Sequence, residues 1–189
     1  MALLLTIPPT AEPVALADVK AHLRLTLTDD DAYILALITA ARRAIESRYA
    51  LALMPQSWTL FADAWPNDRV FHIPLWPVLS VASVIVYADD DTYVTIDPSN
   101  FYLDIATRPA RCALRRGRVF AQPGRGINGI KISFTAGFGA DATAVPFEIK
   151  EGLMATIADW YQNRGDVAGG TLPATTIEAL AAYKNARLA

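Results

Sequence analysis

Cysteine occurs once in the 189 residues, at Cys112, and histidine only twice, at His22 and His72. A lone cysteine closes no disulfide within its chain and builds no cysteine metal cluster, which argues against a disulfide-stapled secreted module. The histidines lie in different stretches with no HxxH or HExxH neighbour, so both read as ordinary structural or surface residues. Long apolar runs are missing as well. None approaches the roughly 20 residues that a membrane span needs. The apolar start, Met1 to Ile7, has no basic flank and is cut off by Pro8-Pro9, so it does not read as a signal peptide. The expectation is a soluble protein made in the cytoplasm, with no membrane contact.

What is present is a core-forming composition, 53% hydrophobic and 19% charged. Such a chain is globular, and long enough for one domain with an insertion. A content this apolar also suggests surface buried against partners. Net charge is −2, but its sign is unevenly distributed along the chain. Residues 1–104 hold 13 acids and 6 bases, whereas residues 105–140 hold no acid and seven bases: Arg108, Arg111, Arg115, Arg116, Arg118, Arg125 and Lys131. A segment this one-sided calls for an acidic partner.

Periodicity divides the chain into three parts. In residues 1–54 an extended Pro-rich opening precedes a short helix from Leu16 to Arg24, with Ala15 at the cap position. A longer helix follows to about Arg48. Thr28 is its expected cap, Asp29, Asp30 and Asp31 fill its first turn, and Ile34, Ile38, Ala41, Ile45 and Tyr49 form its apolar stripe. Residues 55–140 change to strand texture at Ser57–Phe61, Val70–Ile73, Val81–Tyr87, Tyr93–Ile96, Phe101–Leu103 and Gly129–Phe134, suggesting a small antiparallel sheet or barrel. Residues 141–189 return to helix. Pro146 opens one helix, with Ile149, Leu153, Ile157 and Trp160 or Tyr161 inward, and Arg164-Gly165 closes it. Gly169-Gly170 is a hinge before a last helix, Thr176 to Arg187. The fold class is α+β: one discontinuous helical body, two helices from each end, with an antiparallel β insertion.

Motifs for chemistry are mostly wanting. There is no GxSxG elbow, and Cys112 in the run Cys112-Ala113-Leu114 reads as a buried strand cysteine despite Arg111 beside it. Asp89-Asp90-Asp91 lacks the EF-hand spacing and reads as a turn. Gly124 to Gly129 matches neither phosphate-loop pattern and precedes a strand, so a hairpin tip is the better reading. No catalytic residue, metal or cofactor is expected. The arginine segment is the informative feature, suited to carboxylates or phosphates. A pI of 5.6, and the lack of aromatic residues interleaved with the arginines, favour protein partners over free DNA binding. In a ring of identical subunits each contact joins two different faces, so the basic segment and the acidic first part could meet head to tail.

The order of local motifs resembles one family, the head–tail connector (adaptor) proteins of long-tailed phages and gene-transfer particles, over residues 12–188. The carriers begin with Leu16-Ala17-Asp18-Val19-Lys20-Ala21-His22-Leu23-Arg24-Leu25, then the helix Asp29 to Tyr49 with Ala41-Arg42 and Ile45-Glu46. Gln56 and Trp58 sit where the family's first strand begins, and Ile73-Pro74-Leu75-Trp76-Pro77-Val78 resembles its "pPv" strand entry. Thr135-Ala136-Gly137-Phe138-Gly139 looks like "ftAGyg", Val145-Pro146 opens the third helix, and Trp160-Tyr161-Gln162-Asn163-Arg164 resembles "lYenR". Pro173 and the Leu180–Tyr183 helix complete the order. No single motif is specific; their succession is. Trp160-Tyr161 stands where the family more often has His/Leu-Tyr, and Ala15 where a cap is expected.

The resemblance implies a structural subunit without enzymatic activity. It implies a ring, commonly of twelve subunits, beneath the portal protein, which extends the DNA channel and gives tail stopper or terminator proteins a docking surface. The protein would pass from the producing cell's cytoplasm into the neck of the particle. The helices would build the ring body and the β insertion would project toward neighbours or tail. The C-terminal segment would reach the portal through Leu172, Ile177, Leu180, Tyr183 and Arg187, or else pack on its own subunit. Arg108, Arg111, Arg115, Arg116, Arg118, Arg125 and Lys131 are the candidates for contact with a neighbour, the tail or channel DNA. Other readings are a different neck or tail-completion protein, a small enzyme, or a DNA-binding protein.

Overall fold

The structure, a computed structural model, describes residues 1–118, 120–164 and 171–184. Its elements in chain order are β1 (Ala2–Ile7), α1 (Leu16–Leu23), α2 (Asp31–Tyr49), β2 (Gln56–Ala62), β3 (Val70–Ile73), β4 (Val78–Tyr87), β5 (Tyr93–Ile96), β6 (Phe101–Asp104), β7 (Ala110–Leu114), β8 (Ile130–Ala136), α3 (Phe147–Gln162) and α4 (Ala174–Ala179). The class is α+β with antiparallel sheets. Two compact units share the chain: residues 1–10 with 55–138, and residues 11–54 with 139–189.

The β unit holds a five-stranded sheet of order β1-β2-β8-β4-β5 and a three-stranded sheet of order β3-β7-β6. Alternation along β8 sets the faces of the larger sheet. Ile130, Ile132, Phe134 and Ala136 are buried, and their cross-strand partners Leu60, Ala62, Val84, Val86 and Val78 are buried with them. The opposite face is a carpet of hydroxyls in two cross-strand rows, Thr59–Ser133–Ser83 and Ser57–Thr135–Ser80. In the smaller sheet Phe71, Ile73, Ala110, Cys112, Leu114 and Phe101 face the core. Cys112 is fully buried, and burial pushes its thiol up to about 11.

In the helical unit α2 packs on α3. Ile34, Ile38, Ala41 and Ile45 supply one side, Ile149, Leu153 and Ile157 the other, and all seven are fully buried. Each buried Leu or Ile contributes roughly 1.5–3 kcal/mol of transfer free energy. Arg42, 5% exposed, donates to Glu12 at 2.7 Å and to Glu46 at 2.8 Å. A buried guanidinium is tolerable only because both carboxylates compensate its lost hydration.

Several elements depart from expectation. Residues 1–10 belong to the β unit rather than to an N-terminal helical part, because β1 completes the large sheet beside β2. Strand β7 is the middle strand of the small sheet, in a stretch whose sequence suggests only a lone strand cysteine and an arginine-rich hairpin. α2 begins at Asp31, not at a Thr28 cap, and Asp30 occupies the cap position without a side-chain cap bond. α1 stops at Leu23, with Arg24 turning left-handed at φ 57°. α4 ends at Ala179 and is followed by the 3-10 turn Ala181–Tyr183, a shorter helix than Thr176 to Arg187. The signals at Gly165 and Gly169-Gly170 lie outside the described residues.

Candidate functional site

The arginine segment does not stand free as a uniform positive patch. Arg111 on β7 lies opposite Asp104 on β6, and its Nε donates to that carboxylate at 3.0 Å. Arg111 accordingly holds the Asp104 carboxyl below the usual range, although partial burial opposes it. Arg125 pairs with Asp91 at 2.6 Å. Arg115 Nε donates to the Ser99 carbonyl at 2.7 Å. Acids from the first part of the sequence thus neutralise two of the seven bases inside one unit. Counted by unit, residues 1–10 and 55–138 hold seven acids and eight bases. The contrast seen along the sequence largely disappears, and head-to-tail pairing of a basic with an acidic segment loses its basis.

The fold also supplies the aromatic partners that the linear sequence does not interleave. The Arg108 guanidinium lies 3.8 Å from the centroid of Trp76, Arg115 lies 4.0 Å over Tyr102, and Arg125 lies 4.1 Å over Tyr87. Each ring comes from another strand or strand entry, so no local pattern could have announced it. Stacking fixes a guanidinium plane and leaves its edge able to donate. Arg116 and Arg118 are exposed, while the main-chain carbonyls of Arg115 and Arg118 accept from Arg69 at 3.4 and 3.1 Å. Asp68, Arg69, Val70, Tyr102, Ala113, Leu114 and Arg116 line an open depression of about 480 Å³. Lys131 stands apart, half-buried on the hydroxyl face of β8.

The C-terminal candidates separate. Leu172 is 5% exposed and Leu180 fully buried, both within the helical unit, so their side chains are already satisfied by the chain itself. Leu180 packs against Gly152 on α3, where a Cβ would lie 3.3 Å from both Leu180 Cδ1 and Thr176 Cγ2, so a larger residue there would push those side chains back by a few tenths of an ångström. The Thr156 and Thr176 hydroxyls, 3.1 Å apart, both reach the Gly152 carbonyl and complete the seam. Ile177 and Tyr183 stay half-exposed, and Ile177 borders a depression of about 300 Å³ with Arg48, Tyr49, Ala181 and Lys184. Arg187 lies outside the described residues.

A second polar cluster joins the ends of α2 and α3. Asp30 accepts from Arg164 Nη2 at 2.6 Å and from the Tyr161 hydroxyl at 2.5 Å, and Arg164 lies 4.2 Å over Tyr161 and 4.8 Å over Tyr33. Arg164, then Tyr161, hold the Asp30 carboxyl below its ordinary value. This explains the missing cap: the carboxylate serves a distant helix instead of its own. Among the described residues no group of three or more His, Cys, Asp or Glu is placed to hold a metal ion, and no helix is long and apolar enough to cross a membrane.

Comparison with known proteins gives the same direction as the motifs. Residues 13–92 match the family model of the phage gp6-like head-tail connector protein. No curated protein matches. The whole chain superposes on a chain in the neck of an empty gene transfer agent (GTA) particle computed with C6 symmetry, with TM-score 0.84, 26% identity and 98% of that chain covered. A chain in the neck of a native particle computed with C12 symmetry matches over 100% of this chain and 98% of its own length, with TM-score 0.82 and 26% identity. A chain in the virion of a native particle, at 24% identity and TM-score 0.82, shares the fold.

Proposed function

We infer that this chain is a structural head–tail connector subunit of a particle neck, acting as one copy in a ring. The observation that carries this is likeness over the full length, helices and β unit together, to a chain from particle necks computed with rotational symmetry. The mechanism is geometric. Identical subunits close around an axis, and the closed ring continues the passage for DNA between head and tail. Nothing in that role requires a bond to be made or broken. The one cysteine, buried with its thiol pushed up to about 11, is no nucleophile.

Finer statements belong to the same proposal. Twelve copies is the favoured number, supported by the C12 symmetry applied to one related neck. The portal protein is the partner proposed above the ring, met by Ile177, Tyr183 and the segment beyond Lys184. Tail stopper or terminator proteins are the partners proposed below. Arg116 and Arg118, exposed and carrying positive charge, are proposed for contact with a neighbour, the tail or the DNA backbone. Mass measurement of the purified protein, alone and with portal, tests the reading. A ring, or a stable portal complex, is expected. A monomer that ignores the portal, together with particles that still join heads to tails when the protein is deleted, overturns it.

A further inference from the structure

We propose that the ring closes by sheet extension, with the β1 edge of one copy pairing with the β5 edge of the next; this rests on the ring reading. The large sheet has the order β1-β2-β8-β4-β5, so those two strands present its open edges among the described residues. An open edge is a row of unpaired N–H and C=O groups, and proteins ordinarily guard it with charge, proline or a covering segment. Within the strands neither edge carries charge or proline, although β1 has a register shift between Leu5 and Ile7 and β5 spans only four residues. β1 reads ALLLTI and β5 reads YVTI, with no ionisable carboxylate or base between them.

β1 is moreover exposed on both faces. Leu4 is 56%, Leu5 38% and Ile7 57% exposed, although Leu4 and Leu5 point to opposite sides of the sheet. On β5, Tyr93 is 62% and Val94 55% exposed. A strand apolar on both faces exposes hydrophobic surface to water, and a partner strand with flanking side chains buries that surface while pairing the backbone groups of the edge. The smaller sheet provides a contrast within the same unit. Its edge strands carry His72 on β3 and Asp104 on β6, and Asp104 is tied to Arg111.

The occupant follows from symmetry. In a closed ring every contact joins two different surfaces of one chain. A sheet with two uncharged edges offers two such surfaces, and strand pairing joins them without side-chain matching. β1 to β5 is therefore favoured over β1 to β1, which would close a two-fold pair and stop.

Cys112 makes the test clean, because it is fully buried with its thiol raised to about 11 and gives no background. The double variants Leu4→Cys with Tyr93→Cys and Leu5→Cys with Val94→Cys, each joining positions on one face of the sheet, are treated with a short bis-maleimide, both as purified rings and in neck-bearing particles. A ladder of covalent multimers on a denaturing gel is expected from at least one pair, and monomer alone from each single variant. Rings of correct native mass without a ladder in either pair overturn edge pairing and leave the ring reading intact. Dimers from Leu4→Cys alone, or linkage of that cysteine to another virion protein, overturn it too. If neither preparation contains any oligomer, the ring reading itself fails and takes this proposal with it. As a second measurement, Leu4→Lys and Val94→Lys are each expected to lower ring yield at least tenfold with the monomer's thermal melt unchanged; full ring yield in both overturns the proposal.

Discussion

Asp30 shows how far a residue's role departs from its local pattern. The run Asp29-Asp30-Asp31 reads as a helix first turn, yet Asp30 is held by Tyr161 on α3 and by Arg164 just beyond that helix. A carboxyl depressed in the folded state contributes stability that is complete above its unfolded value of about 3.9 and is lost as pH falls through the folded value. Asp30→Asn is therefore expected to lower the melting temperature near neutral pH. The gap to the unmodified protein should close progressively as pH drops below about 3.9. Melts over a pH series check this, and a gap independent of pH would remove the ionic account. At Cys112 the expectation is silence: thiol reagents should modify it only after unfolding, read as labelling in denaturant against none in buffer.

At the scale of elements, the seam between α3 and α4 decides what the C-terminal residues are free to do. Leu180→Ala empties a fully buried site and is expected to cost about 2–5 kcal/mol, measured by denaturant unfolding. Tyr183→Ala, at a half-exposed position, is expected to cost less stability than Leu180→Ala while weakening portal capture. The reverse pattern would show Tyr183 as the structural residue and Leu180 as the contact. The helices α2 and α3 were legible because their apolar positions recur every three or four residues. β1 was not, since six apolar residues before two prolines carry no period, and only pairing with β2 makes them a strand. β7 was obscured because its one arginine, Arg111, lies in a longer run of bases, while Ala110, Cys112 and Leu114 make its inward alternation.

For the whole molecule the arrangement of charge in space matters more than its order along the chain. Arg111 and Arg125 are neutralised by Asp104 and Asp91, which leaves Arg116 and Arg118 as the exposed cations of the segment. Arg116→Glu with Arg118→Glu is expected to weaken ring or neck assembly most at low ionic strength, with the difference fading near 1 M salt, where the screening length is about 3 Å. Mass photometry across a salt series reads this. Arg111→Glu should act otherwise, destabilising the small sheet by placing two carboxylates opposite each other, and so lowering the melt rather than the salt response.

The sequence by itself determined the helical parts, the β texture between them, the absence of thiol and metal chemistry motifs and the order of motifs that resembles head–tail connectors. These are properties of spacing and composition, and local physics is enough to read them. Tertiary structure alone decided which bases remain free, which rings stack on arginines, that Leu180 packs against Gly152, and that the large sheet ends in two uncharged edges, β1 and β5. Each of those depends on residues far apart in the chain, brought together by pairing and packing that no local window contains.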